Sequence, residues 1–516
     1  MASGRALPTL PGMVARVLSS LVRGLEGRVV EVQVDISGGV IGFALVGLAS
    51  GSVREAKERV RSAIRNSGLP FPSQRKLTVN LAPAELRKEG SGLDLAIGVA
   101  ISLAALGLPS PSGIAFLGEL ALDGAVRHVD GILVAARWLV RHGIAALFVP
   151  EADAAEAALA GGLLVYPCPS LSSAIAHLTG DTRLEPYSGR APVPTHVEAR
   201  PEHDLAEVQG QDSARRALEV AASGGHNLLM TGPPGAGKTM LARCLPGLLP
   251  PLELQEALEL AQIRSVLGDL AAGRPLEWVR AFRAPHHSVS LAGLIGGGSG
   301  LATPGEISRA HHGVLFLDEL AEFRASTLQA LRQPMEQGQI VLTRRSGSVV
   351  YPSRFQLIAA TNPCPCGWDG DSERRCRCTP GAIEAYQRSL SGPLLDRIDL
   401  QVIVARTPMD VLGREALGES SSTVRARVVA ARQLQIDRQG TLNAALRAPQ
   451  LRRWAALDGT ALSALRRWAS QRGLSARGFH RAWRVARTLA DLEGEGAVRE
   501  HHVMEALGYR LVERAA

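Results

Sequence analysis

Residues 227–239 read Asn-Leu-Leu-Met-Thr-Gly232-Pro233-Pro234-Gly235-Ala236-Gly237-Lys238-Thr239, a short apolar run that enters a glycine loop and then, near Met240, a helical pattern. This feature constrains the fold more than any other in the chain. Glycines let successive backbone N–H groups curl around phosphate oxygens, and a helix that starts there adds the positive end of its dipole. A lysine at position 238 reaches the β and γ phosphates, and the Thr239 hydroxyl is placed to hold Mg2+. The pattern requires a strand before it and a helix after it, and both flanks are present; a chance glycine loop is the alternative.

With 516 residues the chain has room for two to four domains. The longest apolar run, Leu95–Leu108, falls short of the ~20 residues a membrane helix needs, so a buried core helix and no membrane association are expected. The N-terminus carries no compact apolar stretch with a small-residue cleavage site, and Met1–Gly12 reads as a disordered extension, with Met13 as an alternative start. Six cysteines are too sparse for a disulfide scaffold, which points to the reducing cytoplasm. Residues 406–516 hold 19 basic against 11 acidic residues and so carry a net charge equal to the +8 of the whole chain. That excess suits a polyanion partner or a solvated helical face.

Composition divides the chain into blocks. Residues 13–180 mix α and β, with strands at Val29–Val34, Leu77–Leu81 and Ala145–Val149 and helices at Ala56–Ser67 and Asp94–Leu106. Residues 181–203 are a proline-containing linker. In residues 204–406, short apolar strands (Asn227–Met230, Val314–Leu317, Gln356–Ala359) alternate with helices, which argues a parallel sheet. Residues 407–516 are rich in Ala, Leu and Arg at helical spacing.

The strand Val314–Leu317 ends in Asp318-Glu319, where strand C-termini meet the phosphates. Asp318 is placed to hold Mg2+ through water, and Glu319 to polarise an attacking water as general base. The third strand ends in Thr361-Asn362, whose amide suits the γ-phosphate or the water; a plain turn Asn before Pro363 is the alternative. Arg397, in Leu-Leu-Asp-Arg-Ile-Asp399, suits a finger into a neighbour's γ-phosphate or an ion pair with Asp396 or Asp399. Arg477 opens a strongly basic helix that either contacts nucleotide from a lid or is solvated. These elements in this order resemble the AAA+ ATPases from about residue 204 to the end. The resemblance implies Asn362 as sensor 1, Arg397 as arginine finger, Arg477 as sensor 2 and a hexameric ring.

Lys238 and Asp318 are 80 residues apart, and the excess, including Ala284-Pro-His286-His287-Ser and Leu294-Ile-Gly-Gly-Gly298 through Glu306, reads as an insertion in the second helix. Two alternating runs flanking a Ser-Gly turn, Gly338–Tyr351, form a hairpin with Arg344 and Arg345 near its tip. An insertion and a hairpin at these places resemble the branch with magnesium chelatase and the MCM helicases, whose hairpins line a central pore. Arg344 and Arg345 are then candidates for gripping DNA phosphates, against a solvated turn. His286, His287, His311 and His312 lack ligand spacing and are expected to be structural.

Asn362-Pro-Cys364-Pro-Cys366-Gly367, then Cys376-Arg-Cys378-Thr-Pro380, with Ser391–Asp399 and Val485–Asp491, closely resembles the ComM/YifB family of magnesium-chelatase-like proteins. Four thiolates spaced C-x-C-x9-C-x-C could close a tetrahedral, structural Zn2+ site; four reduced thiols are the alternative. With Arg87-Lys88-Glu-Gly90-Ser91-Gly92-Leu-Asp94 and Val129-Asp-Gly131-Ile-Leu133, residues from about 14 to 178 resemble the Lon proteolytic domain, an S5-like α+β fold. At its nucleophile and lysine positions stand Gly92 and Leu133, with Ser91 one residue away, and leucine cannot take up a serine proton, so proteolysis is not expected. The expected architecture is therefore multidomain α/β: a Lon-like domain, a P-loop AAA+ parallel sheet and a C-terminal helical lid. The family resemblance implies an ATP- and Mg2+-dependent hexameric helicase for branch migration of DNA in natural transformation. A magnesium-chelatase-type motor subunit is the rival, and an ATP-dependent protease the weaker one.

Overall fold

The run at Val29–Val34 is the middle of a longer strand, Glu26–Ser37, whose inward residues Val30, Val32 and Val34 are fully buried. Its alternation makes it the spine of a seven-stranded mixed sheet in the computed structural model. The order is Gly42–Val46, Lys76–Ala82, Glu26–Ser37, Ala15–Arg23, Ile114–Phe116, Ala146–Val149, Leu164–Pro167. The structure describes residues 14–48, 51–189, 203–270, 276–298, 302–344, 347–371, 373–390, 392–407 and 418–510. Residues 1–13, most of the expected linker (190–202) and Arg345 therefore lie outside the described residues.

Two compact units emerge, one of residues 1–194 with 257–277 and the other of 195–256 with 278–516. In the first, the helix Asp94–Leu106 spans the residues its apolar run predicts. It is buried from Asp94 to Leu103 and stops at Gly107, whose φ of 68° suits a left-handed C-terminal cap. Asp94 is buried beside Arg59 at 2.7 Å; burial pushes its carboxyl up to about 6 against the pull of that guanidinium. Leu133 is fully buried, and its N–H is held by the Glu156 carboxylate at 2.8 Å. A Cβ on Gly92 would meet the side chains of Leu117 and Val129 at 3.8 Å. Neither position offers a hydroxyl or an amine.

Residues 257–277 group with this first unit rather than with the 204–406 block that composition suggests. The physical reason is the buried Glu156: Ser265 donates its hydroxyl to Glu156 Oε1 at 2.6 Å, and the Ser265 carbonyl accepts the Gly131 N–H at 2.9 Å.

The second unit contains a five-stranded, all-parallel sheet ordered Phe282–Arg283, Val314–Leu317, Gln356–Thr361, Leu228–Thr231, Leu400–Ile403. The helix Asp212–Gly224 precedes the strand Leu228–Thr231 and Lys238–Leu248 follows it. Helices of the 407–516 region pack on the same core. Met230, Phe316 and Ile358 of the sheet join Val428, Leu465, Val485 and Leu489 in one continuous cluster. Full burial of such side chains contributes roughly 1.5–3 kcal/mol each, so sheet and helices are held as one body. No helix among the described residues is long and apolar enough to cross a membrane.

The basic C-terminal region is not simply a solvated face. Arg487 is 1% exposed and bonds Asp491 at 2.8 Å, and Arg438 also pairs with Asp491. Arg481 is buried 3.6 Å from Asp399.

Candidate nucleotide-binding site

The glycine loop leaves the strand Leu228–Thr231 at the carboxyl edge of the parallel sheet. A Cβ on Gly232 would lie 2.1 Å from the Val404 carbonyl oxygen, so only glycine lets the chain turn there. Gly235 and Gly237 take φ of 77° and 87°, and the helix Lys238–Leu248 begins directly after them. Residues 234–240 line a cavity of about 470 Å3 together with Asp318, Glu319, Thr361 and Asn362. Those four residues arrive from two other strands, Val314–Leu317 and Gln356–Thr361.

Lys238 Nζ donates to the carbonyls of Gly232 at 2.7 Å and Pro233 at 2.9 Å and to Asn362 Oδ1 at 3.1 Å. Burial lowers its pKa, partly offset by Asp318 and Glu319. Thr239 donates to Asp318 Oδ2 at 2.7 Å, so the two candidate Mg2+ ligands already face each other. Glu319 adopts φ 51°, a left-handed conformation that costs a non-glycine residue roughly 1–3 kcal/mol and is found where function needs it. His287 Nδ1 lies 3.2 Å from Glu319 Oε2. Sequence reasoning set this histidine aside, since nothing in spacing links a residue of the insertion to the end of a distant strand. His311 Nδ1 accepts the Arg354 N–H at 3.0 Å, and His312 pairs with Glu256 at 3.2 Å.

Arg397 and Arg477 do not line this cavity. They share a second one, of about 1050 Å3, with Arg280, Arg432, Arg481 and Arg484. Arg397 pairs with Glu336, and its carbonyl accepts from Asn227 Nδ2 at 3.0 Å. Asn227 Oδ1 in turn takes the Leu357 N–H at 2.9 Å, which ties the Arg397 loop to the strand that ends at Asn362. Arg477 is exposed at the start of the helix Ala476–Leu492, capped by Ser475. Burial pushes Arg481 down to about 10 and Arg432 to about 9, so both stay charged at neutral pH in a cavity crowded with cations. Such a surface favours an anion.

The hairpin has the expected form, Gln339–Arg344 against Gly347–Pro352. Arg344 is exposed, with a guanidinium nitrogen 3.4 Å from where a Cβ of Gly297 in the insertion would stand. The four cysteines converge: the Sγ atoms of Cys364, Cys366, Cys376 and Cys378 all lie within 4.8 Å of one another, and none forms a disulfide. Backbone N–H groups of Arg377 and Trp368 hold the Cys366 thiol down at about 6. This donor set fits a soft divalent ion such as zinc.

Residues 204–412 match the family described as magnesium chelatase, subunit ChlI, residues 32–153 that described as subunit ChlI of Mg-chelatase, and residues 418–510 its C-terminal counterpart. The chain is 43% identical to "Uncharacterized protein YifB" of Escherichia coli over 95% of this chain and 96% of the relative. It is 40% identical to "Competence protein ComM" of Haemophilus influenzae over 97% and 98%. To the "Magnesium-chelatase 67 kDa subunit" of Chlorobaculum parvum it is 27% identical over 31% of this chain and 23% of the relative. Matches of this extent, over a P-loop cavity at the edge of a parallel sheet, place the chain in the ComM/YifB family of magnesium-chelatase-like AAA+ ATPases.

Proposed function

We propose that this chain is one subunit of an ATP-driven ring, a hexamer, that moves DNA as a helicase, with branch migration during recombination of incoming DNA in natural transformation as its task. The observation that carries this reading is the split of the ATPase groups between two cavities of one unit. Lys238, Thr239 and Asp318 hold the triphosphate and Mg2+ in one, Glu319 activates water and Asn362 orients it. Arg397 and Arg477 stand in the other, so they serve the nucleotide of a neighbouring subunit. Each subunit supplies half a site, and a closed ring completes every half.

The DNA part of the reading is supported by the competence relative and by the exposed Arg344 at the end of its hairpin strand; Arg344, with Arg345, grips backbone phosphates without regard to sequence. The protein acts in the cytoplasm, and zinc is the structural ion of the four cysteines. The N-terminal unit is a Lon-like domain without protease chemistry, since its dyad positions hold Gly92 and Leu133, which offer neither a hydroxyl nor an amine.

The test is ATP hydrolysis with and without single-stranded, duplex and four-way-junction DNA, with Glu319→Gln as control. Stimulation by DNA, absent in the variant, is expected, with the junction as the best activator. Vigorous hydrolysis indifferent to every DNA would remove the helicase reading and favour a chelatase-type or protein-remodelling motor.

A further inference from the structure

The turn between Asn362 and the helix Pro380–Ser389 brings four thiols together directly on top of the phosphate loop, and the ATP chemistry itself requires neither. Sulfur separations are 3.4 Å for Cys364–Cys366, 3.6 Å for Cys366–Cys376 and 3.7 Å for Cys364–Cys376. Around a tetrahedral zinc with Zn–S near 2.3 Å, sulfurs stand about 3.8 Å apart, so the thiols already outline such a site. The Cys378 N–H points at Cys376 Sγ at 3.4 Å, the outer hydrogen bonding that fixes a thiolate ligand.

The same turn touches the nucleotide cavity. Gly367, at φ 83°, donates its N–H to the Cys364 carbonyl at 2.9 Å. A Cβ on Gly367 would lie 2.5 Å from Pro234 Cδ, so the backbone of the cysteine turn rests on the phosphate loop without intervening atoms. At its other end, Asn362, two residues before Cys364, accepts from Lys238 Nζ. Trp368 is flanked by the guanidinium groups of Arg374 at 4.6 Å and Arg406 at 5.4 Å, which anchors the far side.

We propose that Cys364, Cys366, Cys376 and Cys378 bind one zinc ion per chain, and that the metal-closed turn is the roof of the nucleotide pocket, so that metal occupancy sets nucleotide affinity through the Gly367–Pro234 contact and the placement of Asn362. The inference rests on reading that cavity as an ATP site. Without the metal, the turn loses the cross-link that holds Gly367 against Pro234, and Asn362 loses its fixed neighbour.

The experiment uses the full chain. Zinc is counted per chain by thiol-blocked release into a chromogenic chelator, and cobalt is exchanged in to read thiolate-to-metal charge transfer and tetrahedral d–d bands. The affinity for a fluorescent ATP analogue is then compared among the zinc-loaded protein, the zinc-stripped protein, Cys376→Ser/Cys378→Ser and Gly367→Ala. The last variant keeps all four ligands and so separates the roof contact from any folding defect of the cysteine variant. Expected are one zinc per chain, a tetrathiolate cobalt spectrum, and nucleotide affinity weakened roughly tenfold or more in the stripped protein and in Gly367→Ala, the latter still holding zinc. Absence of zinc, or an affinity unchanged by stripping, overturns the proposal, whatever Gly367→Ala does. Lys238→Ala makes the failures distinguishable, because it should retain zinc while losing nucleotide. If the zinc-loaded wild type bound no nucleotide at all, the ATP reading would fall, and the coupling with it.

Discussion

The two cavities of the second unit differ in kind. The smaller, at the carboxyl edge of the sheet, presents a glycine loop, one lysine and two carboxylates; it can bind a metal-bound triphosphate and activate water. The larger presents eight guanidinium groups, with the carboxylates of Glu256, Glu336 and Asp399 paired to Arg280, Arg397 and Arg481; it can stabilise developing phosphate charge. In the proposed ring, arginines placed away from the phosphate loop make hydrolysis conditional on a neighbour, so that catalysis and assembly become one event.

The sharpest way to break this comparison is Arg397→Ala. Turnover is expected to fall about 10^3-fold, with nucleotide affinity nearly unchanged, as read by steady-state hydrolysis beside analogue binding. Equal loss of binding would mean that Arg397 acts on its own chain's nucleotide. Glu319→Gln is expected to lower turnover by about 10^2-fold or more while ATP stays bound; turnover near wild type would remove Glu319 as the base. Arg477→Ala should cost roughly tenfold, and its effect should be less than multiplicative with Arg397→Ala if both reach one phosphate group. Full multiplicativity would assign them to separate tasks.

The smallest effect concerns His287. Its Nδ1 occupies one side of the half-exposed Glu319 carboxylate, and a polar contact between partly exposed groups is worth ~0.2–1 kcal/mol. His287→Ala should therefore raise DNA-free turnover by roughly fivefold at most, the upper end of that range. A fall in turnover would instead make His287 a group that orients the base.

What could be read from the residues follows the physics of each element. The strand Val314–Leu317 and the helix Asp94–Leu106 lie where their apolar runs put them, because elements buried on all sides have no polar face to blur their ends. The phosphate loop and the cysteine turn were legible because their chemistry demands fixed local spacing. Contacts made by tertiary packing were not. The His287–Glu319 pair joins the insertion to a strand end, and the departure of residues 257–277 into the first unit hangs on the buried Glu156. The basic surplus of the C-terminal region suits a polyanion partner or a solvated face, yet Arg481 and Arg487 are buried against Asp399 and Asp491. The company of Arg477 with Arg397, rather than with Lys238, depends on how the helical region packs over the sheet.

The most direct test mixes two inactive proteins. Glu319→Gln subunits keep Arg397, and Arg397→Ala subunits keep Glu319. In mixed rings, some interfaces join an intact Glu319 cavity to an intact Arg397. The account predicts that hydrolysis reappears on mixing and peaks near equal proportions. Mixed rings, verified to contain both chains, that remain as inactive as either parent would contradict it.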